Sequence, residues 1–146
     1  MFKLLKIVKV VMVFGAFDGL HPGHLHFFRE AKKFGDFLVV SVGTDKNVEK
    51  IKGKKPLFHQ DERLDLVREC KFVDNAVIGA ESEFYDHIKS FKPDVICLGY
   101  DQWAKEDEVR GELDKVGLKS TVIKRLKAYE PLRAKSTITK QNSVDF

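Results

Sequence analysis

Short apolar runs alternate with amphipathic segments along this chain. Residues 7–14 form a continuous run rich in β-branched side chains, which is typical of a strand buried on both faces of a parallel sheet. A turn containing Gly15 and Gly19 follows. Pro22 suits the first position of a helix, because that position does not need a backbone N–H. The helix then carries an apolar stripe at helical spacing, formed by Phe27, Ala31 and Phe34.

The same alternation continues to the end of the chain. Residues 37–42 (FLVVSV) read as a second buried strand, which makes the first unit a right-handed strand–helix–strand crossover. Further helices are predicted over 61–69, 83–91 and 106–116, and further strands over 73–78, 94–98 and 120–126. Five strands alternating with helices predict an α/β fold, a Rossmann-like, doubly wound five-stranded parallel sheet. A length of 146 residues fits a single domain.

Composition and charge limit the classes of function. The chain is 43% hydrophobic and 33% charged, which excludes a disordered protein. Its net charge of +4 and pI near 9.0 suit an anionic partner, whether nucleotide, nucleic acid or phosphorylated metabolite. Two cysteines are too few for a disulfide framework or a four-thiolate zinc site. The basic, apolar N-terminus is too short for a membrane span, so we expect a cytoplasmic protein that does not bind membranes.

The candidate chemistry lies directly after the first strand, in GAFDGLHPGH at residues 15–24. Ligands of doubly wound sheets bind outside the carboxyl ends of the strands. His21 and His24 lie one turn apart across the predicted helix start. Free backbone N–H groups and the helix dipole favour an anion there, and Gly23 would let a phosphate approach the backbone. The sequence therefore predicts a phosphate site, and the alternative is one capping and one surface histidine.

These residues carry a family resemblance. GAFDGLHPGH resembles the signature of the HIGH-motif nucleotidyltransferase superfamily, in its cytidylyltransferase-like branch. Further similarities run along nearly the whole chain: the basic loop Lys52-Gly53-Lys54-Lys55-Pro56, the pair Glu62-Arg63-Leu64 and Val73-Asp74, the loop Leu98-Gly99-Tyr100-Asp101-Gln102, and Ser136-Thr137. The resemblance implies a single nucleotidyltransferase domain over residues 1–146.

Two differences from the usual cytidylyltransferase-like sequence indicate which subfamily this chain resembles. Ala16 replaces the usual Thr, which removes a hydroxyl that could bind the nucleotide. The C-terminal motif of glycerol-3-phosphate cytidylyltransferases is absent, and residues 127–137 (KAYEPLRAKST) stand in its place. This version, together with the Gly-Tyr-Asp-Gln loop, resembles the archaeal-type FAD synthases. It implies transfer of AMP from ATP to FMN with release of pyrophosphate. It also implies a divalent ion such as Mg²⁺ that takes few protein ligands, and it leaves a homodimer possible.

Specific residues follow from the motif and the resemblance. His21 and His24 are the expected catalytic pair. Nucleotide contacts are expected from these two and from Ala16, Phe17, Pro22, Gly23, Asp101 and Tyr129, and triphosphate contacts from Lys52, Lys54, Lys55, Ser136 and Thr137. No residue is predicted to be a metal ligand.

Plain structural roles compete with some of these assignments. The lysines could belong to a solvated loop, Ser136 and Thr137 could form an ordinary N-cap, and Tyr129 could cover the core. Asp18 could contact a metal or order its turn.

Two other functions compete with FAD synthesis. One is a cytidylyltransferase that uses CTP and glycerol 3-phosphate or another polyol or sugar phosphate. The other is a nucleic-acid-binding module, which the basic pI would suit. The sequence lacks a basic stripe with interleaved aromatic residues, so no nucleic-acid partner is expected.

Overall fold

Five parallel strands form one sheet in the computed structural model, which describes residues 8–129. The strands are β1 (Val10–Gly15), β2 (Phe37–Val42), β3 (Asn75–Ile78), β4 (Val95–Leu98) and β5 (Val122–Arg125). Their order across the sheet is β3-β2-β1-β4-β5, and every neighbouring pair is parallel. The five-stranded, doubly wound parallel sheet predicted from the sequence is confirmed. The strand order reverses between β1 and β4, where such sheets bind ligands.

Five helices accompany the strands: α1 (Pro22–Lys32), α2 (Asp45–Lys52), α3 (Gln60–Arg68), α4 (Phe84–Phe91) and α5 (Glu106–Lys115). Alternate strand residues face opposite layers, as the period of a strand requires. Val11 and Val13 pack with α1 and α3 on one face, whereas Met12 packs with α4 and α5 on the other. Both faces of the central strand are buried, which explains its continuous apolar run. None of the helices in residues 8–129 has the length and apolar character to cross a membrane.

The helix α2 was missed by the sequence analysis, which placed Lys52 in a loop. Lys52 is in fact the last residue of α2, and the loop begins at Gly53. The helix is short and mostly polar, with Val48 as its buried residue, so its apolar stripe is weak. Its end signals were present in the sequence. The Thr44 hydroxyl accepts the N–H of Asn47 at 3.1 Å, and Gly53 ends the helix with φ of 79°.

One buried arginine fastens the loops beside the carboxyl end of β1. Arg63 on α3 is fully buried. Its guanidinium donates to the carbonyl oxygens of Ala16 at 2.8 Å and Phe58 at 2.9 Å, and to the carboxylate of Asp45 at 2.8 Å. Three separate segments are therefore held by one side chain whose planar fork of donors suits this task.

Removal of this side chain should destabilise the protein strongly. Arg63→Ala leaves two carbonyls and a carboxylate without their donor and opens a cavity, so we expect unfolding free energy to fall by about 3–5 kcal/mol. Arg68→Ala is the matched control, since Arg68 lies on the same helix but is exposed, and its change should stay within about 0.5 kcal/mol. Urea unfolding of both variants measures the difference. Equal losses would contradict the role given to Arg63.

Candidate active site

A large cleft lies along the carboxyl edge of the sheet. Its volume is about 1120 Å³, and residues that follow β1, β2, β3 and β4 line it. Pockets for single drug-sized ligands usually have about 300–1000 Å³, so this one has room for a nucleotide and a second substrate. The cleft extends over both faces of the sheet. His21 and His24 lie on the α1 side, whereas Phe84 and Val109 belong to the α4 and α5 side.

The two histidines of the motif stack on each other inside this cleft. Their ring centroids are 3.9 Å apart and the rings are inclined by 25°. Nδ1 of His21 accepts the N–H of Gly23 at 3.0 Å, and Nδ1 of His24 accepts the N–H of His21 at 3.2 Å. A neutral imidazole that accepts at Nδ1 carries its proton on Nε2. Both rings are thereby fixed as Nε2–H donors at the start of α1.

The two hypotheses for the motif, helix capping and ligand binding, are compatible with the same geometry. His21 is the N-cap of α1, so the expectation of free backbone N–H groups was wrong. The Gly23 N–H is bonded to His21, and those of His24 and Leu25 both point to the His21 carbonyl. The His21 ring itself requires glycine at position 23, because a Cβ there would lie 2.8 Å from that ring, and the predicted approach of a phosphate to Gly23 stays a prediction. The N-terminus of α1 therefore acts on a ligand in the cleft through the His21 and His24 rings, because its first backbone N–H groups are already bonded.

The Phe17 ring packs against the histidine pair from the protein interior. It is buried and adopts a left-handed backbone conformation with φ of 51°, which is a strained state for such a bulky residue. Its ring packs against His24 at 5.5 Å and Phe28 at 5.0 Å. The same ring fills the space beside Gly15, where a Cβ would lie 2.7 Å away. Its side chain thus positions His24, while Ala16 uses its carbonyl to bind Arg63.

His24 is held in its neutral form. Burial lowers the pKa of His24 to about 3, and the charges of His21 and Lys52 add to that effect. A ring with so low a pKa is uncharged at neutral pH, so it acts on an anion as a hydrogen-bond donor. Lys52 lines the same cleft as the two histidines.

The three predicted lysines lie around two neighbouring hollows. Lys52 lines both the main cleft and a small pocket of about 180 Å³ beside it, whereas Lys54, Lys55 and Asp18 line the small pocket. Asp18 is buried, and its carboxylate accepts the N–H groups of Leu57 at 2.5 Å and Phe58 at 2.9 Å. Of its two proposed roles, the structure supports the ordering of the backbone. Asp18 fixes the loop that carries these lysines.

A second ordered loop, residues 99–105, borders the cleft after β4. Asp101 lies in it, exposed and facing the cleft as predicted. Gln102 ties the loop to β1, since its amide accepts from Gly99 N at 2.8 Å and donates to the Phe14 carbonyl at 2.7 Å. Arg125 donates to the carbonyl groups of Gly99, Gln102 and Ala104 and to the Glu106 carboxylate.

Of the remaining predicted site residues, two line the cleft and two lie outside the described part of the chain. Pro22 and Tyr129 both line the cleft, and Tyr129 lies on the α1 side with its ring 5.0 Å from that of His26. Ser136 and Thr137 lie outside the described residues, so their part in the site stays a prediction.

Sequence reasoning missed several residues of the site. Lys50 and Lys127 add two further cations to the lining of the cleft. Lys50 belongs to α2, the helix that the sequence pattern did not predict, and its spacing from Lys52 would not have placed both side chains on one helix face. Gln102 and Arg63 stood inside segments used for the resemblance, but no local signal showed that their side chains cross to other elements. Among residues 8–129, no three His, Cys, Asp or Glu side chains cluster as a metal site would.

The low pKa of His24 makes stability depend on pH. The unfolded chain protonates His24 near its ordinary pKa of 6.5, whereas the folded chain does so only near 3. Stability is therefore full above about pH 6.5 and falls as the pH drops towards 3. Between pH 7 and 5 the wild type should lose about 1–2 kcal/mol more than His24→Asn, whose amide oxygen can still accept from His21. Urea unfolding at both pH values checks this, and equal losses would contradict it.

Comparison with known proteins gives a consistent result. The sequence matches the cytidylyltransferase-like family over residues 12–142. It is 45% identical over 123 residues to the FAD synthase of Ferroglobus placidus, covering 84% of this chain and 79% of that one. It is 47% identical over 119 residues to the FAD synthase of Aciduliprofundum boonei, covering 82% and 78%. For the FAD synthase of Thermoplasma acidophilum the identity is 40% over 131 residues, covering 90% and 92%.

Solved structures agree on the fold. A crystal structure from Thermoplasma volcanium GSS1, described as a lipopolysaccharide core biosynthesis protein, superposes with a TM-score of 0.80 at 41% identity, covering 84% of this chain and 99% of that one. The pantoate-beta-alanine ligase of Francisella tularensis shares the fold at a TM-score of 0.59 and 16% identity, covering 94% and 67%. With the matched HIGH motif at the switch point of the sheet, these similarities show that the chain belongs to the cytidylyltransferase-like family of nucleotidyltransferases, among the archaeal FAD synthases.

Proposed function

We propose that this protein makes FAD by transferring the AMP moiety of ATP to the phosphate of FMN. The observation that carries the proposal is the stacked pair of His21 and His24, fixed as two Nε2–H donors in a cleft with room for both substrates. The relatives named FAD synthase indicate the substrates.

The reaction needs charge stabilisation more than proton transfer. An oxygen of the FMN phosphate attacks the α-phosphorus of ATP in line, the new P–O–P bond forms, and the bond to the β-phosphate breaks to release pyrophosphate. A phosphate monoester is an anion at neutral pH, so no general base is required. His21 and His24 donate through Nε2–H to the oxygens around the α-phosphorus, where negative charge accumulates. Such preorganised donors stabilise a transition state because they need no reorientation during the reaction.

The cations beside the histidines suit the rest of the triphosphate. Lys52 is close enough to His24 to influence its pKa, and Lys54 and Lys55 line the adjoining pocket. The β and γ phosphates would occupy that side of the cleft, because ammonium groups neutralise phosphate oxygens. Ser136 and Thr137 remain proposed contacts to the same phosphates.

The site fits a divalent ion that is held mainly by the substrate. Within the described part of the cleft lining, Asp101 is the one carboxylate. Mg²⁺ usually takes one or two carboxylates together with substrate phosphates and water, so Asp101 is the side chain here that would reach it. The ion would neutralise charge on the triphosphate and on the leaving pyrophosphate.

Substrate choice tests the proposed function directly. With Mg²⁺ present, ATP and FMN should give FAD and pyrophosphate, while CTP and glycerol 3-phosphate should give no product. Chromatography of all four nucleotide and acceptor combinations, with pyrophosphate measured in parallel, provides the readout. Turnover of CTP with glycerol 3-phosphate and none with FMN would assign the protein to the cytidylyltransferases of polyol phosphates.

Truncation of His24 tests the role of the histidine pair. His24→Ala removes a donor that acts mainly in the transition state, so kcat should fall by about 10²–10³ while ATP affinity changes little. His59→Ala is the control, since that side chain is 86% exposed and lies outside the cleft lining. Saturating kinetics, calorimetric ATP titration and circular dichroism of both variants give the comparison. A folded His24→Ala protein that keeps most of its kcat would refute the catalytic assignment.

A further inference from the structure

The cleft has an aromatic half that the phosphate chemistry does not use. On the α4 and α5 side its floor is aliphatic, formed by Ile88, Ile96, Leu98 and Val109. Two large aromatic side chains border this half, Phe84 at the start of α4 and Trp103 in the 99–105 loop. We call this half, bounded by Phe84 and Trp103, the aromatic slot.

Both rings of the slot remain in contact with water. The Trp103 side chain is 74% exposed and Phe84 is 41% exposed, although both belong to the lining of the cleft. Apolar side chains that border a pocket and still contact water are available to pack against a bound ligand. Phe84 is held in place by Phe14, with ring centroids 5.1 Å apart, and by Tyr85 at 5.2 Å. Its ring is thus presented by a rigid aromatic cluster.

The loop that carries Trp103 is equally well fixed. Arg125 bonds to the carbonyl groups on both sides of Trp103, those of Gln102 at 3.1 Å and Ala104 at 2.5 Å. Gln102 itself is bonded to the end of β1. A backbone held from two directions keeps an exposed indole beside the slot without burying it in the core. That arrangement is suited to stacking a planar ligand.

We infer that the aromatic slot binds the isoalloxazine ring of the flavin substrate, with Phe84 and Trp103 as its stacking residues. The inference rests on the proposed function, since it assigns the acceptor within the same cleft. The phosphates belong on the α1 side beside His21 and His24, so the second substrate must bring its phosphate there and its ring elsewhere. The slot lies in the same cleft on the α4 and α5 side, away from the phosphate residues.

The chemistry of the slot fits a flavin ring in two respects. Asp101 is the only charged side chain among the described lining residues from 79 to 109, and the isoalloxazine ring is planar and uncharged. The slot also contains a polar position, because the buried hydroxyl of Ser41 lines the cleft and lies 3.0 Å from Nε2 of His87. A ring with an apolar benzenoid end and a polar pyrimidine end matches a slot whose floor is aliphatic and whose lining includes the Ser41 hydroxyl.

Riboflavin is the probe for this site, because it has the ring without the phosphate. Its binding should depend on the slot and not on the phosphate residues. Trp103→Ala and Phe84→Leu should each raise the dissociation constant for riboflavin and for FMN by about 5- to 100-fold, the usual effect of removing one stacking ring. Lys52→Ala should weaken FMN and leave riboflavin unchanged. Flavin fluorescence follows each titration, with and without α,β-methylene ATP.

The matched control is Leu66→Ala. Leu66 is 42% exposed, close to the value for Phe84, but it lies on α3 away from the cleft, and both flavin constants should stay unchanged. Trp103→Phe keeps a ring and should recover most of the affinity. Because the Trp103 side chain is so exposed, its truncation should leave the thermal midpoint unaltered, so a loss of binding reports on contact with the ligand.

Kinetics separate the slot from the proposed function. In both slot variants the KM for FMN should rise while the KM for ATP stays within about twofold. If the wild type forms FAD but the flavin dissociation constants do not change in the Trp103 and Phe84 variants, the slot assignment is wrong and the proposed FAD synthesis is unaffected. If riboflavin binds through the slot but no FAD forms, the proposed function fails and the slot stands. A rise in the KM for ATP alone would place the adenine ring in the slot and overturn the inference.

Discussion

The active-site edge of this protein depends on a charged side chain in its interior. Arg63 is fully buried, and its guanidinium reaches the carbonyl that follows β1, the loop before α3 and the first residue of α2. Burial of a charge is costly unless hydrogen bonds and an opposite charge compensate for the lost water. Arg63 has both the hydrogen bonds and the opposite charge, so it can stay buried only if all three segments keep their positions. Loops that would otherwise move independently are coupled in this way.

Other polar side chains extend the same principle around the cleft. Asp18 accepts two N–H groups of the lysine-bearing loop, and Gln102 and Arg125 bind the backbone of the loop after β4. In each case a side chain replaces the hydrogen bonds that an irregular backbone cannot make with a neighbouring strand. The loops of the site are therefore ordered before substrate arrives. Catalysis by charge stabilisation requires this, because donors that must first reorient lose much of their effect.

The histidine pair shows how the helix start serves both stability and chemistry. His21 caps α1 and His24 caps His21 in return, and these bonds fix the tautomer in which each ring can donate. Burial keeps His24 neutral, so the empty site does not carry an unpaired buried cation. When a triphosphate enters, its negative charge favours the protonated ring and opposes the effect of burial. Capping, tautomer and charge state thus follow from one local geometry.

The sequence by itself determined the fold class and the place of the chemistry. Continuous apolar runs such as that of β1, alternating with amphipathic helices, are typical of a parallel sheet that is buried on both faces. A glycine-containing strand end before a helix that begins with proline locates the ligand edge. The tertiary structure alone decided how Gly23, Phe17 and Arg63 act, since Gly23 makes room for an imidazole, Phe17 supports His24, and Arg63 joins segments up to 47 residues apart. The aromatic slot has the same origin, because Phe84 and Trp103 come from different crossovers of the sheet. Periodicity reports which face of one element is buried, but contacts between distant elements depend on side-chain packing in three dimensions, which no local pattern encodes.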